Sequence, residues 1–264
     1  MKIHLMGGDE RQLYLADYIS DLGFEVSLSY TGGTADPLWD AEVLILPLPA
    51  TRDGVMLNAP LSKKTISLQT IFANFKGKML FGGMLPKDAP VGAIDYFKAE
   101  EVTLMNAALT VEGALALAIE HTPFSLLHQP ILVLGAGRIG QLLALRLTAL
   151  GAKVTVAARR AESLALCEAL GAEGRFYEDI PYGKFRLVLN TVPARVLGED
   201  ALGRLPEGAV LLELASAPGG FDRELAEGYG LHVISAPGLP GKYTPETAAH
   251  CIGKFIIKEM ERLG

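Results

Sequence analysis

Residues 130–160 read PILVLGAGRIGQLLALRLTALGAKVTVAARR, and this stretch decides the fold. An apolar run, PILVL, stops at Gly135-Ala136-Gly137-Arg138-Ile139-Gly140 and passes into a segment with apolar residues at helical spacing. A second apolar run, KVTVA, follows. Strand, glycine turn, helix and strand within about thirty residues make a βαβ unit, the context in which a G-x-G-x-x-G motif means dinucleotide binding. Each glycine has its own task. Gly135 permits the tight turn, Gly137 lets backbone approach a pyrophosphate, and Gly140 lets the helix pack on the strand. The free N–H groups at the helix start, across Gly137, Arg138 and Ile139, suit the anion.

The end of the second strand selects the dinucleotide. NAD enzymes usually place an acid there, about twenty residues past the motif, for the ribose hydroxyls. Here the strand ends Ala158-Arg159-Arg160. Without a carboxylate a 2′-phosphate is not repelled, and a guanidinium grips it with two parallel hydrogen bonds. The cofactor expected is NADP, with Arg159 the first choice and Arg160 the second. Two later loops follow strands at the same sheet edge. Asn190-Thr191-Val192-Pro193 ends one strand, and Ala215-Ser216 opens ASAPGGFD after another. Ordinary turn chemistry and contact with the ribose and nicotinamide both account for them.

Outward from this unit the chain keeps alternating. Strand signals at FRLVLN, AVLLELAS and LHVIS are separated by helical patterns, and a last helix spans about 245–263. The first hundred residues repeat the grammar with KIHLMG, FEVSLSY, AEVLILP, GKMLFGG and EVTLMN as strands. Helices are expected at about 63–76 and between GKMLFGG and EVTLMN, and TVEGALALAIEHT reads as one long helix. Short, nearly continuous apolar strands between helices mean parallel sheets covered on both faces. The fold class is α/β with two doubly wound domains. The boundaries read as 1–106 for an N-terminal substrate-side domain, 107–128 for a connecting helix and linker, 129–242 for the NADP-binding Rossmann domain, and 243–264 for a helix returning to the first domain across the junction.

Bulk properties exclude other classes. Net charge is −6 with no Lys/Arg cluster, which argues against a nucleic-acid or anionic-membrane surface. No run of eighteen uncharged apolar residues appears, and residues 1–8 read as a core strand, so neither membrane insertion nor export is expected. Cys167 and Cys251 lack metal or redox spacing and read as reduced thiols of a cytoplasmic protein.

MGGDERQ (6–12), NAALTVEGALALAIEHT (106–122), VLGAGRIG followed by AAR, NTVP, LASAPGGFD (214–222) and APGLPGKYTPETA (236–248) stand in the order found in the A subunits of dipicolinate synthases. The chain resembles that family over essentially its whole length. The resemblance implies a catalytic domain like that of formate and glycerate dehydrogenases joined to an NADP-binding Rossmann domain. It implies oxidation of a dihydrodipicolinate-level intermediate to dipicolinate, a small dicarboxylate, during endospore formation in the mother-cell cytoplasm. It also implies a partner, a separate flavoprotein-like B subunit; self-association stays open. One departure is Ala217, where relatives often carry Lys or Arg.

The opening turn, Gly7-Gly8-Asp9-Glu10, lacks a third glycine and puts two acids at a helix entry. Acids there suit the helix dipole but repel a pyrophosphate. This turn is therefore expected to face the substrate across an interdomain cleft. Arg11 and Lys242, with Arg52 behind them, are the candidate carboxylate ligands; for Arg11 the competing reading is a pair with Asp9 or Glu10. Asn106 and Thr110 are each candidate helix N-caps and Glu112 a first-turn acid, and all three stand beside Ser216 as candidate substrate contacts. His121 and His250 read as packed histidines, and His4, His128 and His232 carry no motif. The reaction implied is hydride transfer from the dihydropyridine ring to NADP with loss of a ring proton, for which no base is assigned. The competing functions are a hydroxyacid- or shikimate-type NADP dehydrogenase and a non-catalytic NADP-binding regulatory subunit. The hydroxyacid reading lacks its usual Arg in the ASAPGGFD loop.

Overall fold

The computed structural model describes residues 1–33 and 35–263. The chain divides into two compact units, one built from residues 1–106 and 240–264 and the other from 107–239.

The first unit holds a parallel five-stranded sheet. Its strands are β1 (Lys2–Met6), β2 (Glu25–Ser29), β3 (Val43–Ile45), β4 (Met79–Gly82) and β5 (Ile94–Asp95), in the order β2-β1-β3-β4-β5. That is the flavodoxin-like winding, whose switch point lies between the first and third strands. Ile3, Leu5, Met6, Leu44 and Ile45 are all but inaccessible to solvent, as the continuous apolar runs require of a sheet covered on both sides. Helix α1 (Glu10–Asp21) follows β1, and α2 (Leu68–Asn74) precedes β4. The side chains of Asp9 and Ser67 cap these two helices, accepting from the amides of Arg11 and Thr70.

The second unit holds a parallel six-stranded sheet. Its elements are β6 (Pro130–Leu134), α4 (Arg138–Ala149), β7 (Lys153–Ala157), α5 (Ala161–Ala169), β8 (Glu173–Arg175), β9 (Leu187–Asn190), α6 (Glu199–Gly203), β10 (Val210–Glu213), α7 (Arg223–Gly228) and β11 (His232–Ser235). The strand order, β11-β10-β9-β6-β7-β8, is the Rossmann order, with its switch point between β6 and β9. Both sheets are parallel and doubly wound, as the alternation of strand and helix signals implies.

Helix α3 (Glu100–His121) carries the chain from one unit's residues to the other's, and α8 (Leu239–Tyr243) carries it back. The final helix, α9 (Pro245–Leu263), packs on α1 through its buried face of Ala248, Ala249, Ile252, Ile256 and Met260. Gly253 lies against the Tyr18 ring, where a methyl group would come within 2.5 Å of it.

Several local expectations are corrected. EVTLMN is not a strand; it forms the first turns of α3. Glu100 and Glu101 open that helix as favourable first-turn acids, and no glycine or proline interrupts the chain before Thr110. A short apolar run with Val and Thr cannot be told from a helix segment by periodicity alone. Asn106, Thr110 and Glu112 therefore lie inside α3, well past its first turn. The segment before α3 holds β5 and one 3-10 turn (Tyr96–Lys98) in place of the expected helix. α3 also contains an eighteen-residue window of mean hydropathy 1.7, long and apolar enough to cross a membrane, half of which is buried inside the protein.

A buried histidine gives unit one a pH signature. His4, 1% exposed on β1, lies between the hydroxyls of Ser27 (2.8 Å from Nδ1) and Ser29 (2.9 Å from Nε2). Burial lowers its pKa to about 4, against a smaller opposing contribution from Ser27. The unfolded chain binds this proton near pH 6.5 and the folded chain does not. Stability is therefore full above pH 6.5 and falls as the pH drops toward 4, by about 3 kcal/mol for this group. Denaturant titration of wild type and His4→Gln at pH 7 and 4.5 checks this. A wild-type loss no larger than the variant's removes His4 as the cause.

Candidate functional site

The glycine turn of the second unit lies at its sheet's switch point. Gly135 adopts a φ of +95°, open to glycine at no steric cost, and its amide donates to the Ala157 carbonyl at 2.8 Å. A methyl group at Gly140 would lie 2.0 Å from the Gly135 oxygen, while one at Gly137 would meet nothing within 4 Å. Gly140 is thus required by packing, and Gly137 borders open space. Gly137 is the N-cap of α4 and offers no side-chain cap, and a helix start of this kind presents its first amides toward an anion. Arg138 is exposed and Ile139 half-buried. The Gln141 amide donates to the Ala136 carbonyl at 2.8 Å and pins the turn.

A cavity of about 520 Å³ opens above this turn. Gly135, Ala136 and Gly137 line one side, Thr191, Val192 and Pro193 a second, and Ala158, Arg159, Arg160, Ser163 and Tyr177 a third. None of these residues is acidic. Arg160 pairs at 3.7 Å with Glu162, both well exposed. Burial raises the pKa of Tyr177, and the nearby charge of Arg159 opposes the rise. Ser163 and Tyr177 carried no motif, and only the winding of the chain after β7 brings them to the cavity.

The two later loops are joined by contacts that sequence reading missed. Asn190, fully buried, donates to the Val192 carbonyl (2.9 Å) and to Glu213 Oε1 (2.6 Å). Glu213 also accepts from the amides of Ala215 (3.0 Å) and Gly220 (2.8 Å). One amide–carboxylate pair thus shapes both NTVP and LASAPGGFD. Thr191 bonds the Leu134 carbonyl through its hydroxyl and its amide, locking its loop to β6. Ser216 and Ala217 are exposed and border a second cavity of about 310 Å³. Its arginines are engaged: Arg223 with Glu227, Ser235 and Val233, and Arg195 with Asp222.

In the first unit the opening turn is built differently. The Gly7 amide donates to the Ser29 carbonyl (2.9 Å) and the Gly8 amide to the Asn58 carbonyl (2.7 Å), while Asp9 caps the α1 amides. The Gly7, Gly8 and Arg11 amides are already spent, and the Asp9 carboxylate stands at the helix entry. Arg11, 7% exposed, forks onto Asp9 through Nε and Nη2, each at 2.8 Å, and donates from Nη2 to the Leu48 carbonyl. Its pairing with Asp9 is therefore real, and among the described residues only Nη1 lacks a hydrogen-bond partner. Burial opposes ionisation of Asp9, but the hydrogen bonds and charge of Arg11, with help from Arg52, hold its carboxyl below the usual range. Arg52 donates to Asn58 Oδ1 at 3.1 Å. Gly241 completes the cluster, because a methyl group there would lie 2.5 Å from Asp9 Oδ2 and 2.9 Å from Arg11 Nε. GGDERQ and PGLPGK, more than two hundred residues apart, thus meet at one ion pair. Lys242 is exposed, with Nζ 5.3 Å from the Tyr243 ring centre. Thr110 is buried, Asn106 half-buried and Glu112 exposed on α3.

Residues 2–90 match the family model for the N-terminal domain of the dipicolinate synthase A subunit. The A subunit of dipicolinate synthase from Bacillus subtilis (strain 168) is 28% identical, over 98% of this chain and 95% of that protein. Among solved structures, the dipicolinate synthase A chain from Bacillus subtilis superposes with a TM-score of 0.84 at 27% identity, covering 99% of this chain and 96% of that one. Its counterpart from Bacillus halodurans gives 0.82 at 26% identity, over 97% and 96%. D-lactate dehydrogenase from Escherichia coli shares the fold alone, with a TM-score of 0.64 at 13% identity over 99% and 97%.

Proposed function

Starting from kinship along the whole chain with the A subunits of dipicolinate synthases, we propose that this protein is the NADP-dependent oxidoreductase component of such an enzyme. In this reading it oxidises a dihydrodipicolinate-level intermediate to dipicolinate during endospore formation, in the mother-cell cytoplasm, working with a flavoprotein-like B subunit. The observation that carries the reading is the acid-free cavity between the Gly135–Gly140 turn and the Arg159-Arg160 strand end.

The residues present fit the cofactor. Gly135 and Gly140 close the turn, Gly137 leaves room above it, and the uncapped start of α4 across Arg138 and Ile139 takes the diphosphate. Arg159 takes the 2′-phosphate with Arg160 adding charge beside it, and Thr191, Val192, Pro193 and Ala215 wall the ribose and nicotinamide. Bound NADP supplies the hydride acceptor.

The substrate side is assigned to Arg11, Lys242 and Ser216, with Asn106, Thr110 and Glu112 on α3. Arg11 is already oriented by Asp9 and Leu48, so its remaining Nη1 donors can take a carboxylate without first losing side-chain freedom. The ring proton leaves as aromaticity develops, which lowers the demand on any base. The chain's main work is to orient the ring and exclude water.

Two measurements test this. NADPH formation from freshly generated dihydrodipicolinate, with and without the B subunit, should appear with wild type. Binding without turnover under both conditions would reassign the chain to a regulatory role. Replacing Arg159 and Arg160 together with alanine should weaken NADPH binding about 10- to 100-fold and leave NADH binding nearly unchanged. If wild type binds NADH as tightly as NADPH, the NADP assignment fails.

A further inference from the structure

Ser163, in the first turn of α5, lines the wall of the 520 Å³ cavity that also holds Arg159 and Tyr177. It is 8% exposed, and no other described residue supplies its hydroxyl with a hydrogen bond. The residue is buried as a whole but lines the cavity, so its hydroxyl is held in place and available to an acceptor that enters there. The helix start beside it is also incomplete. Arg160, the N-cap of α5, makes no side-chain cap bond, although Ser, Thr, Asp or Asn is the usual choice. The amides of Ser163 and Leu164 both turn back to the Arg160 carbonyl at 3.2 Å. Those of Ala161 and Glu162 are the free donors that a helix start leaves.

We propose that Ser163 is a ligand of the cofactor's 2′-phosphate, acting with Arg159 and the first amides of α5. The proposal rests on the NADP reading above and says which groups enforce it. A phosphate monoester presents three strong acceptor oxygens. The Arg159 fork satisfies two, and the Ser163 hydroxyl and the helix start satisfy the third. Arg160, already paired with Glu162, contributes charge from outside the contact. A ribose that ends in a hydroxyl leaves Ser163 and the helix start without an anion. Preference for the phosphorylated form therefore arises from a hydroxyl in the cavity wall as well as from surface arginines.

Calorimetric titration with adenosine 2′,5′-bisphosphate and adenosine 5′-monophosphate tests this without any turnover. Wild type should prefer the bisphosphate. Ser163→Ala should weaken the bisphosphate about 10- to 100-fold and leave the monophosphate unchanged. Ser163→Thr, which keeps the hydroxyl, should stay close to wild type, and Ser163→Asp should abolish the preference by repulsion. If wild type shows no preference, the NADP reading itself is at fault. If wild type prefers the bisphosphate and Ser163→Ala keeps that preference, Ser163 is not a ligand. Equal loss of both ligands in Ser163→Ala would mark the residue as structural and likewise overturn the proposal.

Discussion

Arg11→Gln should lower the unfolding free energy by about 2–4 kcal/mol, between the values for exposed and buried pairs, and cut turnover while leaving NADPH affinity unchanged. The stability loss follows from geometry. The side chain of Arg11 is 8% exposed and that of Asp9 29%, and the glutamine leaves a largely buried carboxylate with its fork removed. The pH profile identifies the cause. With Arg11 present, the depressed pKa of Asp9 gives stability that is present above the unfolded value near 3.9 and lost as the pH falls through the folded value. In Arg11→Gln that acid-labile component should vanish. Gly241→Ala reaches the same pair from the far end of the sequence, because its methyl group would sit between Asp9 and Arg11. It should reproduce both signatures. Arg11→Lys keeps the charge without the fork and should restore stability and turnover only in part. Thermal melts across pH together with steady-state kinetics separate the two roles. Unaltered turnover in a folded Arg11→Gln returns Arg11 to a purely structural pair.

Two glycines of the second turn should fail in different ways. In Gly140→Ala the new methyl group would lie 2.0 Å from the Gly135 oxygen, a backbone atom that cannot swing aside. α4 must back away from β6, at a cost of about 1–3 kcal/mol in stability, and the turn that presents its amides is lost. NADPH affinity should fall about 100-fold or more, since several charge-assisted bonds, each worth about 1.5–3 kcal/mol, depend on that geometry. Gly137→Ala meets nothing within 4 Å and should melt like wild type. It should nonetheless bind NADPH more weakly if the diphosphate rests against that backbone. A Gly137→Ala protein that binds NADPH normally would move the diphosphate away from this turn.

The parts of the fold legible in sequence were those encoded locally. G-A-G-R-I-G after PILVL, and the alternation of apolar runs with helices, required only neighbours a few residues apart. The start of α3 was misread because EVTLMN has the length and the β-branched residues of a strand. Its helical state depends on the acids before it and on packing around Ala107, Leu109 and Val111. The candidate site divides in the same way. Gly135, Arg159 and Thr191 are visible as motif members. Ser163, Tyr177 and the Asn190–Glu213 pair are ordinary residues whose roles come from the winding of the chain. The contact of Gly241 with Asp9 spans almost the whole sequence, so no local pattern announces it. Only the resemblance, which placed both motifs in one family, hinted that they belong together.

The division of the chain has a consequence for its synthesis. Residues 107–239 form one compact unit, while the other draws on both ends of the sequence. Domains tend to fold as units as they are made, but here residues 1–106 complete their unit only with residues 240–264, which are made after the whole of the other unit. When α1 leaves the ribosome, the helix that covers it does not yet exist, and its apolar face of Leu15, Ala16 and Ile19 stays open until α9 is released. Residues 107–239 are thus all in place before the unit that flanks them can close over α1. A stop codon placed just before Pro245 should thus yield a chain whose second unit still resists proteolysis while its N-terminal unit is digested.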